Sequence, residues 1–321
     1  DDDMIAYGPV PSRRLGRSLG VNNIPPKICT YSCVYCQLGR TIKMQVEREA
    51  FYEPEEVVRD VEEKVRDAEA AEERIDHITF VPDGEPTLDL NLGHEIDLLR
   101  PLGFGIAVIS NASLVWREDV RKELARADWV SLKIDAASEE IWRQVNRPHR
   151  RLQLRAIQDG MLAFADEYEG VLATETMLVN GANDSEDALE EVADFLARLK
   201  PDRAYVAIPI RPPAEPWAHG PDEETVNRAY QIISERVEHT EYLIGYEGNA
   251  FAQTGDVEED LLSITAVHPM REDAVKEFLA RAGADWDVVR WLVAHDQLVE
   301  AEHDGRTFYL RKLNRRGKGP A

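Results

Sequence analysis

All three cysteines of this 321-residue chain fall within one short stretch, Cys29-Thr30-Tyr31-Ser32-Cys33-Val34-Tyr35-Cys36, spaced C-x3-C-x2-C. An odd trio this close together does not read as a disulfide framework. Thiolates are the protein ligands of iron–sulfur clusters, and a short loop can gather three of them around one four-iron cubane. One iron is then left without a protein ligand, open to a substrate or cofactor. Two blander readings stand beside this one: three buried structural cysteines, or a zinc site. Structural zinc takes four ligands. No fourth cysteine exists, and His77 and His94, which would have to complete the set, lie far along the chain.

A hydrophobic content of 43% supplies the core of one large domain, or of one domain with a small appendage. No run of about 18 apolar residues occurs, so no membrane-spanning helix is expected. The first residues lack the charged-then-apolar pattern of a secretory signal. A labile cluster needs a reducing compartment, which makes the cytoplasm the expected location. Acidic residues outnumber basic ones 61 to 38, for a net charge of −23, and such a surface opposes generic binding to a phosphate backbone.

The segment Tyr7-Gly8-Pro9-Val10-Pro11-Ser12-Arg13-Arg14-Leu15-Gly16-Arg17-Ser18-Leu19-Gly20-Val21 is dense in Gly, Pro and Arg. Gly and Pro read as turn punctuation. The three arginines, Arg13, Arg14 and Arg17, read either as a solvated turn or as a basic lining near the cluster mouth, where Arg would grip anionic substrate groups. With the cysteines and the following Gln37-Leu38-Gly39-Arg40-Thr41, this block resembles the radical S-adenosylmethionine (SAM) superfamily. It is similar in particular to the Fe–S oxidoreductases related to the wybutosine tRNA-modification enzymes. The resemblance is specific over residues 7–41 and general beyond. It implies a [4Fe–4S] cluster held by Cys29, Cys33 and Cys36. It also implies reductive cleavage of SAM to a 5′-deoxyadenosyl radical, and Tyr35 packed near the adenine. No cysteine remains for a second cluster, so an external flavodoxin- or ferredoxin-like donor is implied.

Further on, an amphipathic helix is predicted over 53–73, with Val57, Val58, Val61 and Val65 at helical spacing. Strand Ile75–Val81 ends in Pro82-Asp83-Gly84-Glu85-Pro86. Glycine lets a backbone come close to a ligand, and a carboxylate beside it can receive an ammonium. The resemblance assigns Gly84-Glu85-Pro86 to the amino group of SAM, although Asp83 stands where the family has a first glycine. A helix over 92–100 leads to strand Gly105–Asn111, and a helix over 117–127 to strand Trp129–Ala136. In the latter Ser131, Lys133 and Asp135 alternate with Val130, Leu132 and Ile134, which puts the polar trio on one face. Lys133 and Asp135 can satisfy each other as an ion pair. The resemblance instead gives them the SAM carboxylate and ribose, with Ser131 and Asn111 as further contacts. A basic loop with Arg147 and Arg150, either substrate-binding or solvated, precedes a helix over 152–166. Strands Val171–Val179 and Ala204–Ile210 follow, each with a helix after it. This alternation argues a parallel sheet with helices outside. The resemblance specifies a partial (β/α)6 barrel over residues 4–248, open enough for a tRNA or peptide.

Residues 248–258 read as a linker. Residues 259–313 then run helix, helix and hairpin, the order of a winged helix, making a small α+β domain; 314–321 read as a basic disordered tail. The helix after Asp285 is acidic at its start and suits protein docking better than a DNA groove. The functional expectation is hydrogen abstraction from an unidentified substrate, with tRNA modification as one possibility. A peptide or small-molecule substrate, or a non-catalytic Fe–S sensor acting through the winged helix, is the alternative. The acidity fits a salty cytoplasm, where screening weakens self-repulsion. On this hypothesis the melting temperature rises from low to molar salt; a flat profile contradicts it.

Overall fold

A computed structural model describes residues 5–243, 256–267, 270–303 and 306–312. The chain opens with an antiparallel pair, β1 (Ala6–Ser12) and β2 (Gly16–Val21). The cysteine loop begins at β3 (Ile28–Cys29), which lies parallel to the short β4 (Lys43–Met44). There follow α1 (Pro54–Ala70), β5 (His77–Phe80), α2 (Leu92–Leu99), β6 (Gly105–Ser110), α3 (Glu118–Leu124) and β7 (Trp129–Lys133). Then come α4 (Glu139–Asn146), α5 (Leu154–Glu167), β8 (Val171–Met177), α6 (Glu186–Leu199), β9 (Arg203–Ala207), α7 (Glu223–Ser234) and β10 (Thr240–Leu243). The last elements are α8 (Val257–Val267), β11 (Met270–Arg271), α9 (Glu272–Ala282), α10 (Asp287–Ala294), β12 (Leu298–His303) and β13 (Arg306–Arg311).

Local chemistry explains the helices. Pro54 sits in the first turn of α1, Glu55 and Glu56 complement its dipole, and Val57, Val61 and Val65 form its buried stripe. Ser185 caps α6 by accepting from the Ala188 amide at 3.3 Å.

One eight-stranded sheet runs β1-β2-β5-β6-β7-β8-β9-β10, parallel throughout except for β1, and curls into a half-barrel. Its strands alternate as period two requires. Ile106, Val108, Val130, Leu132, Leu172 and Val206 join the main core beneath the helices. Ala107, Trp129, Ala173 and Tyr205 face the concave side. The partial barrel read from the sequence is therefore the fold, with β10 extending it beyond β9.

Three differences stand out. The Gly/Pro/Arg segment is a strand pair, not a string of turns, and its tip places Leu15 among Ala107, Trp129, Ala173 and Tyr205 on the concave side. Helix α4, which the sequence reading passed over, buries Trp142, Val145 and Asn146. Helix α8 occupies part of the expected linker, with the Asp256 carboxylate accepting from the Glu258 and Glu259 amides at 3.1 and 3.0 Å. The expected tail at 314–321 and most of the 248–258 segment lie outside the described residues.

The C-terminal elements form a sheet β11-β13-β12 with three helices. Their core, which includes Leu261, Phe278 and Leu292, also takes in Tyr7 and Val10 of β1. Lys64 of α1 meets Glu259 of α8 at 3.2 Å. We propose that 259–313 is a winged-helix-like unit, seated on the β1 edge of the barrel. No helix among the described residues is long and apolar enough to cross a membrane. Leu15 is 3% exposed, so Leu15→Ala should cost about 2–5 kcal/mol in urea unfolding. A cost within about 0.5 kcal/mol, the usual effect of a surface substitution, would return the segment to a solvated turn.

Candidate functional site

The cysteine loop is held by main-chain bonds on every side. Gln45 N–H donates to the Cys29 carbonyl at 3.2 Å, Ser32 N–H to that of Asn146 at 3.1 Å and Val34 N–H to that of Val145 at 2.9 Å. Two tight turns follow: Cys36 N–H to Cys33 O at 3.2 Å, and Gly39 N–H to Cys36 O at 3.0 Å, with Gly39 at φ +80. All three thiols are free and partly buried. Burial pushes Cys33 up to about 12, and raises Cys29 and Cys36 as well. Three free thiols gathered on one loop are the donor chemistry of an iron–sulfur cluster, so the set fits a metal cofactor. Among the described residues no three His, Cys, Asp or Glu side chains converge closely enough for a single ion, whereas a cubane spreads its ligands wider. The zinc alternative fails on position too. His77 starts β5, at the opposite end from the loop, and donates to the Leu15 carbonyl at 3.0 Å; His94 is exposed on α2.

The end of β5 closes against this loop. Glu85 N–H donates to the Ile28 carbonyl at 3.2 Å and Lys27 N–H to that of Asp83 at 2.6 Å. A Cβ on Gly84 would lie 1.9 Å from that Ile28 oxygen, so only glycine fits. Glu85 is 0% exposed. Its Oε1 accepts from Thr87 N at 3.1 Å, Thr87 Oγ1 at 2.5 Å and Ser110 Oγ at 2.7 Å, and its Oε2 from Asn111 N at 2.7 Å. A carboxylate offers about four lone-pair sites. The side chain expected to receive an ammonium thus already ties the ends of β5 and β6 together. Burial raises its pKa against these bonds. Asp83 is also buried, which pushes it up to about 7 while the charges of Lys27 and Arg311 pull it back.

On the concave wall Lys133 stands opposite Glu175 in the β7–β8 register and forms an ion pair with it. Glu175 takes a second cation, Arg14, from the β1–β2 tip. Burial works against the Glu175 charge, but Lys133 and Arg14 outweigh it and hold the carboxyl down at about 2. Burial likewise works to lower Lys133, and the charges of Glu175 and Asp135 reverse it. The Lys133 ammonium lies 5.0 Å from the centre of the Tyr35 ring. The Lys133–Asp135 pair allowed by the sequence does not form. Asp135 instead accepts from Tyr35 Oη, from Asn146 Nδ2 at 2.7 Å and from Met177 N at 2.8 Å. Ser131 is buried two residues back on the same face as Lys133. Asn111 Nδ2 reaches Thr30 Oγ1 at 2.8 Å and Cys29 Sγ at 3.4 Å.

The arginines do not form the basic mouth that the sequence allowed. Arg13 is exposed at the hairpin tip, and Arg14 is spent on Glu175. Arg17 pairs with Glu73 at 2.7 Å at the start of β2, the end of the barrel away from the loop. Arg147 joins Arg40 on Glu215, at 2.6 and 2.9 Å, tying the cysteine loop to the α4 exit and the 211–217 segment. Arg150 is exposed. Sequence reasoning missed Glu175, Asn146 and Glu215. None carried a signal within its own segment: Glu175 depends on the β7–β8 register, and Asn146 and Glu215 on contacts between distant loops.

Removing the Glu175 charge strands Lys133 and Arg14. Glu175→Gln should cost about 3–5 kcal/mol at neutral pH. Because its folded pKa is depressed, the Glu175 contribution is complete above the ordinary carboxylate value and lost as pH falls towards about 2. The stability gap between wild type and Glu175→Gln should therefore close over that acid range. A gap independent of pH contradicts the buried ion triad.

The Radical SAM superfamily matches residues 23–208. The chain is 46% identical over 316 residues to a UPF0026 protein of Methanocaldococcus jannaschii, covering 98% of both. Among solved structures it resembles a radical SAM methyltransferase from Sphaerobacter thermophilus, with TM-score 0.57 and 22% identity over 71% of this chain and 66% of that one. It also resembles TYW1 with a lysine–pyruvate adduct bound, with TM-score 0.55 and 17% identity over 69% and 74%. At these identities the two structures speak for the fold alone. The superfamily match spans more than half of the chain and includes the cysteine loop, the glycine-closed end of β5 and the Lys133 wall: the chain belongs to the radical SAM superfamily and is an enzyme.

Proposed function

We propose that Cys29, Cys33 and Cys36 hold a [4Fe–4S] cluster, and that the enzyme uses SAM to abstract a hydrogen atom from its substrate. The observation that carries this reading is the trio of partly buried, free thiols on one loop beside a lysine-bearing barrel wall. When bound, the cluster held by Cys29, Cys33 and Cys36 would supply the electron for reductive cleavage of SAM.

The chain's own residues then have separate tasks. Gly84 lets the end of β5 sit against the cysteine loop, and Glu85 and Pro86 fix that strand end beside the methionyl amino group. An ammonium carries three N–H donors. Glu175 keeps Lys133 protonated and leaves part of that capacity for the carboxylate of SAM. Asp135, Ser131 and Asn111 border the ribose side; Asp135 acts there by holding Tyr35 and Asn146. Tyr35 closes the adenine side under the Lys133 charge. With three cysteines in the whole sequence, the electron comes from an external flavodoxin- or ferredoxin-like carrier.

For the substrate, kinship with wybutosine-type enzymes favours tRNA, but the arginines favour something else. Arg14, Arg17 and Arg147 are engaged by Glu175, Glu73 and Glu215, and the chain carries a net charge of −23. A peptide or small molecule, which needs no phosphate-binding face, suits these pairings better.

Reconstituted anaerobically with iron and sulfide, then given dithionite and SAM, the wild type should release 5′-deoxyadenosine. Cys33→Ala should lose both the cluster absorbance and this product. Cleavage retained in Cys33→Ala refutes the ligand assignment. Acceleration by bulk tRNA at physiological salt would overturn the substrate preference.

A further inference from the structure

Two asparagines outside the cysteine loop aim side-chain N–H groups at ligand sulfurs. Asn111, just past β6, places Nδ2 3.4 Å from Cys29 Sγ. Asn146, the last residue of α4, places Nδ2 3.4 Å from Cys33 Sγ. Neither side chain is loosely held. Asn111 Oδ1 accepts from Ser113 N at 2.9 Å, and its second N–H goes to Thr30 Oγ1 at 2.8 Å. Asn146 is 2% exposed; one N–H goes to Asp135 Oδ2 at 2.7 Å, and the other, turned to Cys33 Sγ, also has Tyr35 Oη at 3.5 Å. An amide nitrogen has two N–H donors. In each asparagine one of them is spent on an oxygen, which fixes the amide plane and turns the other towards sulfur.

We propose that Asn111 and Asn146 are positioning residues that set the reduction potential of the cluster by hydrogen bonding to two of its three thiolates. The proposal rests on the cluster assignment above. An N–H donor draws electron density from a thiolate and stabilises the extra negative charge that reduction brings. Hydrogen bonds to the sulfurs are one of the levers that fix such potentials. Among the described residues Cys36 has no side-chain donor of this kind; its sulfur is bonded by the Leu38 backbone N–H and lies near the charges of Lys27 and Lys133. Side-chain tuning therefore acts on Cys29 and Cys33. Asp135 joins this arrangement from behind, since it orients Asn146 and Tyr35 together.

The test is a redox titration of reconstituted wild type, Asn111→Ala, Asn146→Ala and the double variant, followed by the electron paramagnetic resonance signal of the reduced cluster. Iron content is measured on the same samples. Each single variant should retain its iron and show a midpoint displaced to more negative potential, with the double variant displaced further. Coincident potentials in iron-replete variants overturn the proposal. Loss of iron from both single variants overturns it as well, because the side chains would then be supports and not tuners. The two sites lie on different elements, so collapse of one variant leaves the other to decide. Absence of a cluster in the wild type is a different failure, that of the ligand assignment itself, and it would take this proposal with it.

Discussion

The site depends on one close approach, where the end of β5 meets the backbone ahead of Cys29. No atom larger than hydrogen fits on Gly84, because a Cβ would lie 1.9 Å from the Ile28 carbonyl oxygen. That contact brings the Glu85 amide into hydrogen-bonding range of the same oxygen, and it brings the Glu85 carboxylate over the start of the β6 exit. Four donors then fasten that carboxylate, so the ends of two parallel strands and the cysteine loop become one rigid rim. Functional residues of parallel barrels belong at this end of the strands. Here the rim is built first by backbone contact and only second by side-chain chemistry.

Behind the rim sits a buried arrangement of charge. Lys133, Glu175 and Arg14 come from β7, β8 and the β1–β2 tip, and they meet on the concave side where water is largely excluded. An isolated buried charge is costly, and a paired one is tolerated only with good partners. Glu175 balances its two cations with help from Asp135, whose charge also acts on Lys133. The hairpin tip thus has a purpose that its exposed-looking composition hides: Leu15 fills the lower concave face while Arg14 reaches up to the wall.

The central barrel was legible because its strands are short apolar runs whose alternation survives in the structure. Lys133 falls on the concave face and Val130 and Leu132 in the outer core, as period two demands. The β1–β2 pair was not legible. Its prolines are tolerable because β1 is a sheet edge, and Gly20 is there to admit the Tyr7 ring, whose Cζ would stand 2.0 Å from a Cβ. Residues that usually mark turns here serve an edge strand. The partner of Lys133 was equally hidden. Choosing Glu175 over Asp135 depends on the register of two strands separated by an entire helical connection, and period-two reasoning within one strand cannot supply it. The acid partners of the arginines were hidden for the same reason, since a cation read in a loop says nothing about which acid the fold brings to it.

The most direct measurement of the central claim is the electron paramagnetic resonance spectrum of the anaerobically reconstituted, dithionite-reduced protein, recorded with and without SAM. Three thiolates from one loop should give the signal of a reduced [4Fe–4S] cluster. Addition of SAM should change that signal, because one iron is open to it. A spectrum indifferent to SAM, or a reconstituted protein without a four-iron signal, would contradict the reading of Cys29, Cys33 and Cys36 as the seat of radical chemistry.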